Sequence, residues 1–210
     1  MADEIFVLGV SSSSRKEGST ATLLKKVIES AEEQGAKTEI LYLFDKDIKP
    51  CLSCLAEQGC TYPCIIKDDM PEIYELIRKA DCLVLASPTY WFDMSGLMKN
   101  FLERLTALFH LDPPALDGKV AGFVSSGDTE GSSVTIRQMM MALCFCGATL
   151  APYPYVYENV GKGATRSVLT DEFRETIFAK RLGRNLVRMA KLVKHTQGTW
   201  DGSYKRFLPK

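Results

Sequence analysis

Apolar residues along this chain change period again and again. Ile5 to Val10 is a near-continuous apolar run that reads as a strand. A serine-rich loop follows, and then Leu23, Leu24, Val27, Ile28 and Ala31 recur at helical spacing. Gly35 ends that helix and Glu39 to Phe44 reads as a second strand. Asp69 and Pro71 open a short helix carrying Ile73, Ile77 and Ala80, which runs into a third strand from Cys82 to Ala86. Ser95 to Phe109 predicts one helix with a wide apolar face. Val120 to Val124 is a fourth strand, Val134 to Leu143 a helix stopped by Gly147, and Thr149 to Tyr153 a fifth strand; a long amphipathic helix from Asp171 to Lys194 closes the order. Strands alternating with helices require right-handed crossovers and cover on both faces. The expected fold is therefore a doubly wound α/β domain around a five-stranded parallel sheet.

Length and composition narrow the picture without changing it. The chain has 210 residues, 46% hydrophobic and 25% charged, which suits one packed domain spanning 1–210, with a cysteine-rich insertion at 50–69 and a C-terminal helical extension at 171–210. Twenty-six basic residues balance twenty-six acidic ones, so no long-range field for nucleic acid or anionic lipid is built in. No apolar run reaches the length of a membrane span, and the N-terminus lacks the basic region of a signal peptide. A cytoplasmic protein with small-molecule or protein partners is expected.

Ligands of doubly wound sheets bind at the carboxyl ends of the strands, where strand order reverses. The loops after the first, third and fourth strands are therefore the places to look. The first, Gly9 to Thr20, offers hydroxyls and amides at a helix N-terminus, with Arg15 and Lys16 adding positive charge: a cradle for a phosphate. It lacks the three spaced glycines of a dinucleotide fingerprint, so a terminal phosphate suits it better than a pyrophosphate. The second, Ser87 to Gly96, holds Tyr90, Trp91 and Phe92 in a row behind Pro88, which suits a flat aromatic ligand or a subunit interface. The third, Ser125 to Gly131, has donors and acceptors with little bulk, fitted to the polar edge of the same ring.

Seven cysteines are present, four of them as C-x2-C-x5-C-x3-C: Cys51, Cys54, Cys60 and Cys64. Four thiolates so spaced can surround zinc or a [4Fe–4S] cluster, or form a redox switch without metal. Cys82, Cys144 and Cys146 read as small core residues. His110 and His195 are far apart in sequence and read as surface or satisfied core, so a hydrolytic triad finds no support. Met139 to Met141 reads as core or a dimer seam, and the basic residues from Lys180 to Lys194 as a solvated helix face.

The stretch Ser13 to Thr20, the segment Ser87-Pro88-Thr89-Tyr90-Trp91 and the helix from Lys99 to Arg104 resemble the flavodoxin-like NAD(P)H-dependent FMN reductases. More narrowly, the cysteines ahead of Asp68-Asp69-Met70 resemble the iron-sulfur flavoproteins of anaerobes. The resemblance covers residues 4 to about 155. It implies FMN, with its phosphate at Ser13, Arg15, Ser19 and Thr20 and its ring at Pro88, Thr89, Tyr90 and Trp91 and the loop Ser126-Gly127-Asp128. It also favours a [4Fe–4S] cluster on Cys51, Cys54, Cys60 and Cys64, although Glu57 stands where the family places its third compact cysteine. The implied activity is electron transfer between a cytosolic donor and an acceptor, drawn from NAD(P)H, a quinone or a ferredoxin; the aromatic surface of the Trp91-Phe92 loop, more than one flavin needs, predicts a homodimer or homotetramer. The alternatives are an NAD(P)H-dependent FMN or quinone reductase without a cluster, and a non-enzymatic flavodoxin-like electron carrier.

Overall fold

A computed structural model describes residues 4–54, 59–111, 113–161 and 172–196. Five strands lie parallel in the order β2-β1-β3-β5-β6: β1 (Phe6–Ser11), β2 (Lys37–Tyr42), β3 (Cys82–Tyr90), β5 (Val120–Gly127) and β6 (Thr149–Asn159). A two-residue strand, β4 (Asp93–Met94), folds back antiparallel on the end of β3. The helices are α1 (Ser19–Glu32), α2 (Met70–Lys79), α3 (Gly96–Arg104), α4 (Thr106–Phe109), α5 (Ser132–Phe145) and α6 (Arg174–Val193).

The apolar runs are continuous because both faces of the sheet are covered. Along β3, Leu83 and Leu85 face one core with Ile73, Tyr74 and Ile77 of α2, Met98 and Phe101 of α3, and Met139 and Leu143 of α5. Cys82, Val84 and Ala86 face the other, with Leu23, Leu24 and Val27 of α1 and Leu182 and Leu186 of α6. Each fully buried large apolar side chain contributes roughly 1.5 to 3 kcal/mol. The two outer helices pack closely at Gly183, where a Cβ would lie 2.2 Å from the Val27 carbonyl oxygen, and the Ser30 hydroxyl donates to the Lys180 carbonyl at 2.9 Å.

Several elements differ from the sequence-based expectation. β3 continues four residues past Ala86, because Ser87 and Pro88 stay in register with Ser125 and Ser126 of β5; the expected loop there is strand. The expected helix from Ser95 to Phe109 breaks at Leu105 into α3 and α4. β6 runs on to Asn159, its register with β5 shifting between Ala121 and Phe123, where Pro152 and Pro154 fall. Cys82 is buried and Cys146, partly buried, packs against the core, whereas Cys144 is exposed and does not belong to it. The last helix begins at Arg174; Asp171, residues 197–210 and Glu57 lie outside the described residues. Among the described residues, no helix is long and apolar enough to cross a membrane.

Candidate functional site

The strand order reverses between β1 and β3, since β2 lies outside β1 on one side and β3 continues the sheet on the other. At the carboxyl ends of these strands lies a cleft of about 610 Å³, within the range usual for cofactor sites.

One wall is the turn from β1 into α1. The Ser13 hydroxyl accepts from the Arg15 N–H (3.2 Å) and donates to the Arg15 carbonyl (3.0 Å), which folds the loop tightly. The Gly18 N–H then closes onto the same carbonyl at 3.1 Å. No side chain caps α1, so its first N–H groups, at Ser19 and Thr20, border the cleft and favour an anion there. Lys16 is turned away: its ammonium pairs with Asp45 at 2.5 Å and lies over the Tyr42 ring. Arg15 is the cation among the described residues of the lining, and Asp128 and Glu130 lie in the third loop. The charge thus falls off from the Arg15 end toward the β5 end.

The opposite wall is the β3–β4 hairpin. Thr89 pairs with Met94 and Tyr90 with Asp93, leaving Trp91 and Phe92 as a two-residue turn with φ of 50° and 65°. Such a turn ordinarily takes Asn-Gly, since both positions are left-handed. Two aromatics there hold backbone strain of about 1 to 3 kcal/mol each, and Trp91 is 95% exposed. Gly131 lets the next loop pass beneath: its φ is +91°, and a Cβ on it would lie 2.9 Å from the Phe92 Cα and 3.0 Å from the Thr89 Cγ2.

Below the hairpin a network of hydroxyls joins the strand ends. The Thr89 Oγ1 lies 2.9 Å from the Ser125 Oγ and 3.0 Å from the Thr135 Oγ1, and bonds the Ser132 Oγ at 3.3 Å. Ser132 donates on to Asn159 Oδ1 at 2.8 Å. On the other side, the Ser95 hydroxyl, which caps α3 by accepting from the Met98 N–H, donates to the Ser12 hydroxyl at 2.8 Å. The two walls are therefore hydrogen-bonded to one another.

The cysteines occupy a separate region. Cys51, Cys54, Cys60 and Cys64 are free thiols, partly buried, in the connection between β2 and α2. Cys60 and Cys64 pack against the core that contains Tyr74 and Phe101. Burial, aided by the neighbouring thiols of Cys54, Cys64 and Cys51, pushes the Cys60 thiol up to about 11, so the four are within electrostatic reach of one another. Among the described residues, no group of three or more His, Cys, Asp or Glu side chains is gathered tightly enough to hold a single metal ion.

Residues 5–162 match the family of NADPH-dependent FMN reductases. The chain belongs to that family. As an FMN reductase relative it is a flavin-dependent oxidoreductase. It is 31% identical over 200 residues to an iron-sulfur flavoprotein of Methanocaldococcus jannaschii, covering 90% of this chain and 98% of that one. Among solved structures, RosB with bound 8-demethyl-8-formylriboflavin-5'-phosphate aligns at a TM-score of 0.76 and 21% identity, over 91% of this chain and 81% of RosB. A flavodoxin from the domain Archaea aligns at a TM-score of 0.60 and 12% identity, over 89% and 99%. The fold is flavodoxin-like.

All the residues that the sequence offers for the flavin, from Ser13, Arg15, Ser19 and Thr20 through Pro88, Thr89, Tyr90 and Trp91 to Ser126, Gly127 and Asp128, line the one cleft, joined by Gly18, Phe92, Thr129, Glu130 and Val160. Val160, just past β6, carries no sequence signal for this role. The supporting hydroxyls of Ser12, Ser95 and Thr135 were equally silent, since a serine or threonine reads the same in a turn, a cap or a network.

Proposed function

We propose that this protein carries FMN in the cleft at the β1–β3 reversal and a [4Fe–4S] cluster in the cysteine loop, and moves electrons through both between a reduced donor such as NAD(P)H and an acceptor such as a quinone or a ferredoxin. The observation that carries the reading is the cleft itself, where an uncapped helix N-terminus with Arg15 stands at one end and an aromatic hairpin forms the far wall. FMN, when bound, accepts two electrons as a hydride and releases them singly.

The chain's own residues then bind, orient and shield. Ser13, Ser19, Thr20 and the amides of α1 hold the phosphate, with Arg15 meeting its charge. Tyr90 and Trp91 cover the ring, Pro88 and Thr89 support it from β3, and Ser126, Gly127 and Asp128 face its polar edge. None of these residues is required as a nucleophile or general acid. The exposed Trp91-Phe92 tip is covered by a second copy of the chain, a homodimer or homotetramer that light scattering would reveal; a monomer with FMN bound would refute that part.

The donor set of the loop suits an iron-sulfur group: four partly buried thiols beside a buried cation at Arg104. The relative in M. jannaschii named an iron-sulfur flavoprotein supports the same reading. A reductase with no cluster is the second reading, supported by the match of residues 5–162 to the NADPH-dependent FMN reductases. Anaerobic purification followed by flavin, iron and sulfide analysis separates the two. FMN with a [4Fe–4S] complement supports the first reading, FMN with zinc or nothing leaves the second, and no flavin overturns both. Cys51→Ala, Cys54→Ala, Cys60→Ala or Cys64→Ala should each remove the cluster and leave FMN bound.

A further inference from the structure

Arg104, at the end of α3, is a buried charge that the flavin cleft does not use; its side chain is 1% exposed. The two stems of the cysteine loop meet on its guanidinium. Nη1 donates to the Lys49 carbonyl at 3.0 Å, and Nη1 and Nη2 together grip both oxygens of Asp68, Nη2 at 3.1 Å. The Lys49 N–H bonds the same carboxylate at 3.1 Å. Next along the stems, the Asp47 N–H donates to the Asp69 carboxylate at 2.8 Å and the Asp69 N–H to the Asp47 carbonyl at 3.0 Å. The guanidinium thus closes a neck through which the loop leaves and re-enters the fold.

One feature of Arg104 goes beyond closing that neck. Its Nε is buried without a hydrogen-bond acceptor among the described residues, and a buried donor left unmet is costly.

We propose that Arg104 is the positioning residue of the cysteine centre: it fixes the loop by its neck and supplies the positive charge and the spare Nε–H donor that an anionic iron-sulfur group on Cys51, Cys54, Cys60 and Cys64 needs. This rests on the reading that the loop holds such a cluster. Charges and hydrogen bonds near the cluster sulfurs set its reduction potential. Arg104 favours the reduced, more negative form, and Asp68, by offsetting the guanidinium, disfavours it.

The two partners therefore predict opposite shifts. In anaerobic protein, dithionite delivers one electron per cluster and electron paramagnetic resonance reads the reduced fraction against potential. Asp68→Asn, which keeps the guanidinium and removes the opposing charge, should move the midpoint to more positive potential. Arg104→Gln with Asp68→Asn, which keeps a neutral hydrogen-bonding pair in the neck, should move it to more negative potential. Arg104→Lys, which keeps the charge but not the Nε donor, should fall between wild type and the double variant. FMN content reports folding in each. If every variant loses iron alike, or retains iron with an unmoved midpoint, Arg104 is structural only and the inference fails while the cluster reading stands. If the wild-type protein holds FMN but no iron and sulfide, the cluster reading fails and takes this inference with it.

Discussion

The cleft and the cysteine loop are held in place by different means. The cleft stands on the ends of β1, β3 and β5, whose backbone is already fixed by ladder bonds, and its side chains are tied by the Thr89 network and by the Ser12–Ser95 bond. The described part of the loop between Pro50 and Asp69 carries no α-helix or strand; it is pinned at its neck and by the packing of Cys60 and Cys64. A site built on a sheet edge is complete before its ligand arrives, so binding orders little. A loop held at its ends gains its remaining order from whatever its thiols bind.

The largest test of this contrast is at the neck. Arg104→Met leaves the buried Asp68 carboxylate unpaired, which typically costs about 3 to 5 kcal/mol; denaturant unfolding should record that loss. Next is the cleft: Arg15→Ala with Thr20→Ala should weaken FMN by about 1 to 3 kcal/mol for each contact while leaving unfolding of the flavin-free protein little changed. Riboflavin titration sharpens it, because a ligand without phosphate should bind wild type weakly and be indifferent to the double substitution. An unchanged FMN affinity would end the assignment.

How much of this could be read in the sequence follows the same division. The alternation of strands and helices and the loops at the strand ends are written in local periodicity, and the resemblance of those loops to the FMN reductases names the individual residues of the cleft. The hairpin could not be read in this way, because Trp91-Phe92 occupies a turn whose ordinary signal is Asn-Gly. The Arg104–Asp68 pair joins residues that are 36 apart in sequence, and an arginine at the end of an amphipathic helix looks like a solvated one. Cys144 was misplaced for a related reason: a small apolar residue is as acceptable on the open face of α5 as in the core.

Smaller effects probe each region further. Thr89→Val removes the hydroxyl shared by Ser125, Ser132 and Thr135 and should cost about 1 to 3 kcal/mol of stability, measurable by thermal unfolding. Trp91→Asn with Phe92→Gly should do the reverse, raising stability by about 1 kcal/mol as strain is relieved while weakening flavin binding through loss of the ring. The smallest is a pH effect at the neck. Burial works to raise the Asp68 pKa, but the bond from Arg104, with the N–H groups of Lys49 and Met70, overcomes it and holds the carboxyl below its usual value. Its contribution is therefore full above the ordinary carboxylate pKa and is lost as pH falls through the lowered one. Acid unfolding of Asp68→Asn should show a shallower loss over that range than wild type.

The close approach of Asp47 and Asp69 also bears on how such a protein can be altered. Because the two stems already meet across a pair of backbone-anchored hydrogen bonds, the intervening segment resembles a cartridge seated in a socket. The entropy of closing a loop changes only slowly with its length, so a longer, shorter or foreign insert can be grafted between Lys49 and Asp68 without asking β2 or α2 to move. Removing the cartridge between Lys49 and Asp68 and joining the stems by a short turn, so that both residues stay on Arg104, should leave a flavin-binding sheet that has lost its cysteine chemistry, and the same socket offers a defined place to install another redox group.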